Sequence, residues 1–531
     1  MTTTFISADI IGTTVAHTWA AGDDHQLYIA SGVNVVNTSS LAIADMNGND
    51  LTVSIAGTVF AGYRTVLDGI NNTFHVAEGG SYISADSSTG SFAFGDANSS
   101  GNNTYIIDGS VTALQTSGVV GRGNASINVT GEIAAGGNAV FMGLFGADGD
   151  SLINSGTIRG GMRDFDAAES SSPERFAHGV FIEGDDTRVI NLAGGMITTM
   201  AENIAANEGP AGIEYQDDIS GARLRNYGEV SSVYGYGVDM STATNLTDTS
   251  FINFGVVQGS LGSLRGDNSQ ATTFVNRGLM DGDVIFGTGD DDFDNRAGDV
   301  DGDVLLGAGD DFYDGRLDAY VTGAILGGDG ADVVYGGHNA DLIEGGENND
   351  ELRGNGGDDE IRGDNGDDMM LGNDGDDEII GGNGNDSLFG GRGNDVLNGG
   401  NDNDRINGGD GDDRIIAGGG TDILFGDGGA DTFTFASVND SGMTGATRDR
   451  IFDFDQAEGD VVFLASIDAN DNVGGNQVFS YIAGASFSNT AGELRYTSSG
   501  MIEGDTDGDG SADFQILLTT APTLTVDAFV L

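Results

Sequence analysis

Between Gly327 and Thr434 the chain repeats every nine residues, twelve times, without insertion. The eighth position is always apolar: Val334, Ile343, Leu352, Ile361, Met370, Ile379, Leu388, Leu397, Ile406, Ile415, Leu424 and Phe433. The sixth is always Asp: Asp332, Asp341, Asp350, Asp359, Asp368, Asp377, Asp386, Asp395, Asp404, Asp413, Asp422 and Asp431. The first two positions are mostly Gly. Glycines permit positive φ, so six residues can make a tight turn with carbonyls facing inward. The Asp closing that turn adds a carboxylate oxygen. Three residues remain for a short strand with one inward side chain, the eighth. Two such units predict an 18-residue coil with two turns and two strands. Stacked coils place like turns above one another, so a cation can sit between neighbours. Oxygen-only ligation suits Ca²⁺, whose shell is large and flexible, better than Mg²⁺.

The pattern is G-G-x-G-x-D-x-U-x, best kept in Gly381–Phe389 and Gly390–Asn398. It resembles the RTX, or hemolysin-type, calcium-binding repeat. That resemblance implies a parallel β-roll that is unfolded without calcium and folds on binding it. It also implies multiple Ca²⁺ ions, up to about ten for twelve turns. A disordered Gly/Asp linker would not keep both key positions filled in twelve in-phase copies.

Two further turns precede the array. They contain Asp291 and Asp311, lie 20 residues apart, and predict coils with a calcium turn on one side only. Further upstream an apolar–Asn–x–(x)–Gly–x–apolar unit recurs around Asn128, Asn154, Asn191, Asn226, Asn253, Asn276 and Asn295. The steps are 26, 37, 35, 27, 23 and 19 residues, a coil-like spacing. Asn side chains can stack as an internal hydrogen-bonded ladder, and Gly relieves the following bend. The expected fold is therefore all-β: a parallel β-helix running into an RTX parallel β-roll, with a C-terminal β domain. The longer steps would carry side loops such as Asp164 to His178. The predicted boundaries are 1–280 for the β-helix, 281–326 for transitional coils, 327–434 for the roll and 435–531 for the C-terminal domain. Before residue 120 the Asn motif fades, and a cap is the alternative there.

After Thr434 the repeat gives way to aromatic β-patterning, through Ile451-Phe452-Asp453-Phe454, Val461-Val462-Phe463-Leu464, Phe479-Ser480-Tyr481-Ile482 and Leu494-Arg495-Tyr496. Asp505, Asp507, Asp509 and Asp513 have the spacing that opens an EF-hand loop, with Gly510 at the sixth place. Ile516 stands at the twelfth, where an EF-hand has Glu. A variant Ca²⁺ loop and a solvated acidic turn are both open. Residues 430–531 are similar to the C-terminal domain of serralysin-type proteases. That resemblance implies an uncleaved type I secretion signal in Asp527–Leu531, the type I secretion apparatus as a partner, and an extracellular location. The N-terminus fits: Met1-Thr2-Thr3-Thr4-Phe5 opens no Sec signal peptide.

Composition sharpens this picture. The chain has 531 residues, 84 acidic and 20 basic, all of the basic ones Arg, for a formal net charge of −64. Nucleic acid and anionic lipid are excluded as partners of a basic surface. No run of about 18 apolar residues exists to span a membrane. Cys is absent, so no disulfide or Cys-based zinc site forms. Residues 281–434 carry 40 acids and 7 arginines, so −33 of the charge lies on the predicted calcium turns. This reads as a folding switch that bound ions close outside the cell.

A catalytic role finds little support. None of the five histidines begins H-E-x-x-H, which argues against a metalloprotease, and there is no G-x-S-x-G elbow. The alternative is a carbohydrate-active enzyme, a polysaccharide lyase, epimerase or hydrolase, on the β-helix. Its candidate cluster is Arg159, Arg163, Arg175, Arg188, Arg223 and Arg225, with Asp185, Asp186, Asp217 and Asp218 nearby in sequence. No motif fixes their geometry, and side-loop salt bridges account for them equally. A structural, surface or adhesive role with a cell-surface or matrix polysaccharide as partner is the favoured expectation, and no catalytic residue is assigned.

Overall fold

A computed structural model describes residues 271–531 throughout. Before them it describes all but 1, 8–9, 13–16, 20–24, 38–42, 46–50, 62–64, 68–70, 85–91, 97–101, 115–116, 121–123, 143–148, 161–177, 200–210, 218–219, 244–248 and 267–270. The described residues are all-β, with one 3₁₀ turn at Val526–Ala528 and no helix long and apolar enough to cross a membrane. They form a β-solenoid in two compact units, Met1–Leu305 and Leu306–Leu531.

Unit one is a three-sheet parallel β-helix. The first sheet stacks short strands from Thr2–Ile6 to Asp292–Asp294, each in parallel register with the next coil. The second runs from Ile10–Gly12 to Asp299–Asp301, and the third begins at His17–Trp19. The core column of the first sheet reads Val53, Phe74, Tyr105, Ile127, Leu152, Val189, Leu224, Phe251, Phe274 and Phe293, all buried. Alternate residues face outward, as a two-residue period requires.

The predicted Asn ladder is present. The Nδ2 of Asn154 donates to Oδ1 of Asn191 at 2.9 Å. The chain of bonds continues to Asn226, Asn253, Asn276 and Asn295 at 2.8, 2.9, 2.9 and 2.8 Å. Each buried amide is thus held by its neighbours, which a dry core demands. The following Gly is explained as well: Gly228 and Gly255 donate their N–H to the Asn Oδ1 two residues before. A Cβ on Gly255 would strike the carbonyl of Gly228. Asn128 is a correction. It aligns with Ile153, and Val129 takes the ladder position. In earlier coils that column holds Ile107, Val76 and Ile55. The motif fades before residue 120 because apolar residues replace Asn there, while the coils continue.

Unit two is a two-sheet roll. The first sheet holds Val333–Tyr335, Glu351–Gly356, Met369–Asp374, Ser387–Arg392, Arg405–Asp410 and Ile423–Gly428. The opposite sheet holds Ala324–Asp329, Leu342–Glu347, Glu360–Asn365, Glu378–Asn383, Val396–Asn401, Arg414–Gly419 and Thr432–Thr434. Partners are 18 residues apart, and every eighth-position side chain is buried. The residues after 434 pack into the same unit. Phe514–Leu518 pairs in parallel with Arg450–Ile451 at the end of the first sheet. Phe529–Val530 does the same with Val461–Phe463 at the end of the opposite sheet. Glu493–Tyr496, Met501–Asp505 and Phe514–Leu518 form an antiparallel meander. Both sheet ends thereby gain a further strand beyond the repeats.

Candidate metal centre

The sixth-position aspartates form two columns, one at the entry to each sheet of the roll. Within a column each backbone N–H donates to the Oδ1 of the Asp one coil on. The distances are 2.9 Å from Asp368 to Asp386, 2.9 Å from Asp386 to Asp404, and 2.8 Å from Asp377 to Asp395. Each backbone carbonyl is taken by the next coil too, as Asp386 accepts from Arg405 N–H at 2.8 Å. One oxygen is left over. In eleven of the twelve repeats Oδ2 is buried and has no hydrogen-bond partner. Asp341 is the exception, because Gly337 N–H donates to its Oδ2 at 2.6 Å. An unpaired buried carboxylate oxygen is costly and signals a missing positive partner.

Glycine does two different jobs in these turns. At positions two and four φ is positive in every repeat except the one that begins at Gly336, as at Gly382 (116°) and Gly384 (127°). Asn and Asp also adopt that region, so Asp364 and Asn373 fill position two with φ of 70° and 78°. Position one is about space. A Cβ on Gly381 would collide with both Asp386 Oδ2 and the carbonyl oxygen of Gly399 in the next coil. The same two oxygens converge at Gly327, Gly336, Gly363, Gly372 and Gly390. A carboxylate and a carbonyl facing one gap form an all-oxygen cradle for a hard cation. Asn and Asp never occur at position one, where only Ala417 replaces Gly.

The cradle is electrostatically incomplete by itself. Burial pushes the carboxyls of Asp368, Asp386 and Asp395 up to about 6, and those of Asp350, Asp359 and Asp404 up to about 8. The last three also feel the like charge of aspartates in neighbouring coils. A divalent cation would reverse both effects.

Four copies of the family model for the RTX calcium-binding nonapeptide repeat match residues 324–352, 344–379, 371–406 and 398–433. Residues 324–433 are RTX calcium-binding repeats. No curated protein matches the chain. The RTX segment fits its ion: the Asp at position six and the position-one carbonyl of the next coil are the groups that would hold Ca²⁺. Calcium bound there supplies positive charge to otherwise unpaired oxygens.

The other expected ligands differ among themselves. Asp311 takes the place of an RTX aspartate: its N–H donates to Asp332 Oδ1 at 2.8 Å and the residue is buried. Asp291 caps Thr272 N–H at 2.6 Å, and its Oδ2 lies 3.4 Å from Gly287 N. Asp505, Asp507 and Asp513 each bring a carboxylate oxygen within 4.8 Å of the others. Asp509 is outside that group and caps Ser511 N–H at 2.7 Å. Asp505 is fully buried, and its two oxygens accept from Gly508 and Gly510 N–H.

The arginine cluster does not assemble. Arg159 is on the second sheet of unit one, 3.7 Å from Glu132, whereas Arg188, Arg223 and Arg225 lie exposed on the first. Asp185 caps Ser220 N–H at 2.7 Å, and Asp186 makes a turn with φ of 51°. Asp217 ends the strand Ile213–Asp217. Arg163, Arg175, Asp218 and the loop 164–177 lie outside the described residues.

A buried acidic pair with an arginine on the third sheet of unit one has no signature in the sequence. Glu214, Asp239 and Arg265 are aligned across successive coils. Arg265 donates to both oxygens of Asp239, and Nε does so at 2.9 Å. Burial, reinforced by the charge of Asp239, raises the Glu214 carboxyl well above its ordinary range. Three ordinary polar letters at spacings of 25 and 26 form no local motif.

Proposed function

We propose that this is a secreted calcium-binding RTX protein whose roll folds on meeting extracellular Ca²⁺ and which serves as a structural or adhesive surface element. One observation carries the reading: eleven buried aspartate oxygens of the repeats have no hydrogen-bond partner. A chain with −64 net charge can remain loose at low calcium and close when ions arrive. The ions would sit on Asp291, Asp311 and the RTX aspartates, with a further one in the Asp505–Asp513 loop. Export through a type I apparatus, as the serralysin-like pattern of residues 430–531 implies, suits a chain that leaves the cell unfolded.

The adhesive part is supported by a cleft of about 460 Å³ on unit one. Arg159, Thr198, Ser231 and Gln258, one per coil, line it with polar groups. Two residues before Glu229 of that lining, Tyr227 stands exposed and stacked on the exposed Phe254, with ring centroids 4.9 Å apart. Polar hydrogen-bonding groups and flat apolar plates suit a polysaccharide.

Circular dichroism of the full chain in EDTA and in millimolar CaCl₂ tests the calcium reading. A gain of β signal and of protease resistance over residues 306–531 is expected. Identical spectra and digestion would remove it. For adhesion, sedimentation with insoluble neutral and acidic polysaccharides should show binding that Tyr227→Ala plus Phe254→Ala abolishes.

A further inference from the structure

We infer that the cation column of the first sheet runs one coil beyond the RTX repeats and ends in a calcium-class divalent-cation site on Asp449. The inference rests on the calcium-binding reading of the repeats. Asp449 lies 27 residues after Asp422, outside the nonapeptide array. It nevertheless holds the same structural position. Asp422 N–H donates to its Oδ1 at 2.8 Å, as every RTX aspartate does to the next coil. The strand it opens, Arg450–Ile451, pairs in register with Ile423 and Leu424. Asp449 is 0% exposed, and its Oδ2 is buried without a partner, as is that of Asp422.

A different segment closes this corner. Residues 437–448 replace the Gly-rich turn, and Ser441 bridges to Gly420 of the last repeat. The Ser441 hydroxyl accepts Asp449 N–H at 3.0 Å and donates to the carbonyl of Gln515 at 2.6 Å. The site therefore ties the end of the roll to the strand Phe514–Leu518. A cation there would order that strand along with the repeats.

The opposite column provides the contrast. It ends at Asp460, whose Oδ1 accepts Asp431 N–H at 3.1 Å and whose Oδ2 accepts Asp455 N–H at 2.7 Å. Both oxygens of Asp460 already accept a hydrogen bond, so that column does not end on an unpaired oxygen. The two columns end differently, and only the first leaves a buried carboxylate oxygen without a hydrogen-bond partner at its last member.

The test uses the full chain stripped with EDTA and titrated with CaCl₂, with bound ions counted by native mass spectrometry and calorimetry. Asp449→Asn keeps an acceptor for Asp422 N–H and removes the charge. It should bind one ion fewer than the unaltered chain, while Asp460→Asn binds the full number. An unchanged count in Asp449→Asn, or an equal loss in Asp460→Asn, overturns the inference and leaves the RTX sites standing. An unaltered chain that binds no calcium removes the RTX reading itself. Should Asp449→Asn fail to fold, hydrogen exchange on the unaltered chain decides. Protection of residues 440–451 that rises with calcium by more than that of the Asp460 corner, residues 455–463, supports the site, and an equal rise at both corners overturns it.

Discussion

The amide of Asp386 donates to Oδ1 of Asp404 at 2.9 Å, while Oδ2 of the same Asp404 is buried and faces no donor. One oxygen fixes coil to coil, and the other waits for a cation. Substitutions can separate the two jobs.

Asp386→Asn should change sign with calcium. In EDTA it removes a buried charge that burial disfavours, so the cation-free roll gains about 1–2 kcal/mol. In saturating calcium it loses a ligand and falls below the unaltered chain. Asp386→Ala also orphans the Asp368 amide and is worse in both conditions. Denaturant melts of the three proteins with and without calcium check this ordering.

Position one should be far less tolerant than position two. Gly390→Ala places a methyl between Asp395 Oδ2 and the carbonyl of Gly408, and overpacking of this kind costs about 1–3 kcal/mol. Gly391→Asn enters a place the chain already gives to Asn373 and Asp364, provided its φ of 122° relaxes toward their 78° and 70° to carry the new Cβ off the Asn373 carbonyl. Calcium titrations followed by circular dichroism should show a raised midpoint for the first and a near-normal one for the second.

Acid should favour the roll when calcium is absent. Folded-state values of about 6 to 8 stand above the unfolded value of about 3.9. A raised folded value contributes stability in full below the unfolded value, and loses it as pH climbs through the folded one. In EDTA the β signal should therefore be larger at pH 5 than at pH 8. In calcium the order reverses, because protons and cations compete for the same oxygens.

On unit one, Glu214→Gln should be the milder change, since burial and the charge of Asp239 both disfavour the ionised form of that carboxyl. Asp239→Asn should cost about 3 kcal/mol by leaving Arg265 without its partner. Thermal melts in calcium would show the difference.

Cutting the Asn ladder should have a long reach. Asn226→Ala removes the acceptor for Asn191 and the donor to Asn253 at once, leaving polar groups in a dry core. A loss of about 2–4 kcal/mol is expected. Hydrogen exchange should show the loosening at Asn191 and Asn253 together.

Much of this was legible in the sequence because the fold is periodic. Twelve filled Asp positions and twelve apolar positions specified the roll, and the Asn spacing specified the ladder from Asn154 onward. Asn128 was misplaced because it sits one residue from a column filled there by Val129. Asp449 and Asp460 were overlooked because their distance from the previous ladder member is 27 and 29 residues, not 18. The short signal was present in Asp449-Arg450-Ile451 and Asp460-Val461-Val462, which repeat the Asp–x–apolar entry of each RTX strand. The Glu214 group was invisible, since outward positions of separate coils meet only after the chain has wound.

The aspartate ladder counts coils rather than residues. Its steps are 18 within the repeats but 21, 27 and 29 at the edges, with amide-to-carboxylate distances of 2.8 to 3.1 Å at those longer steps. A corner can therefore swallow nine (27 − 18) or eleven (29 − 18) extra residues without slipping the strands that follow. Foreign loops grafted between Phe435 and Asp449 should ride on the scaffold in the way natural insertions do. The roll is in that respect a modular scaffold, with coil register fixed and corner length free.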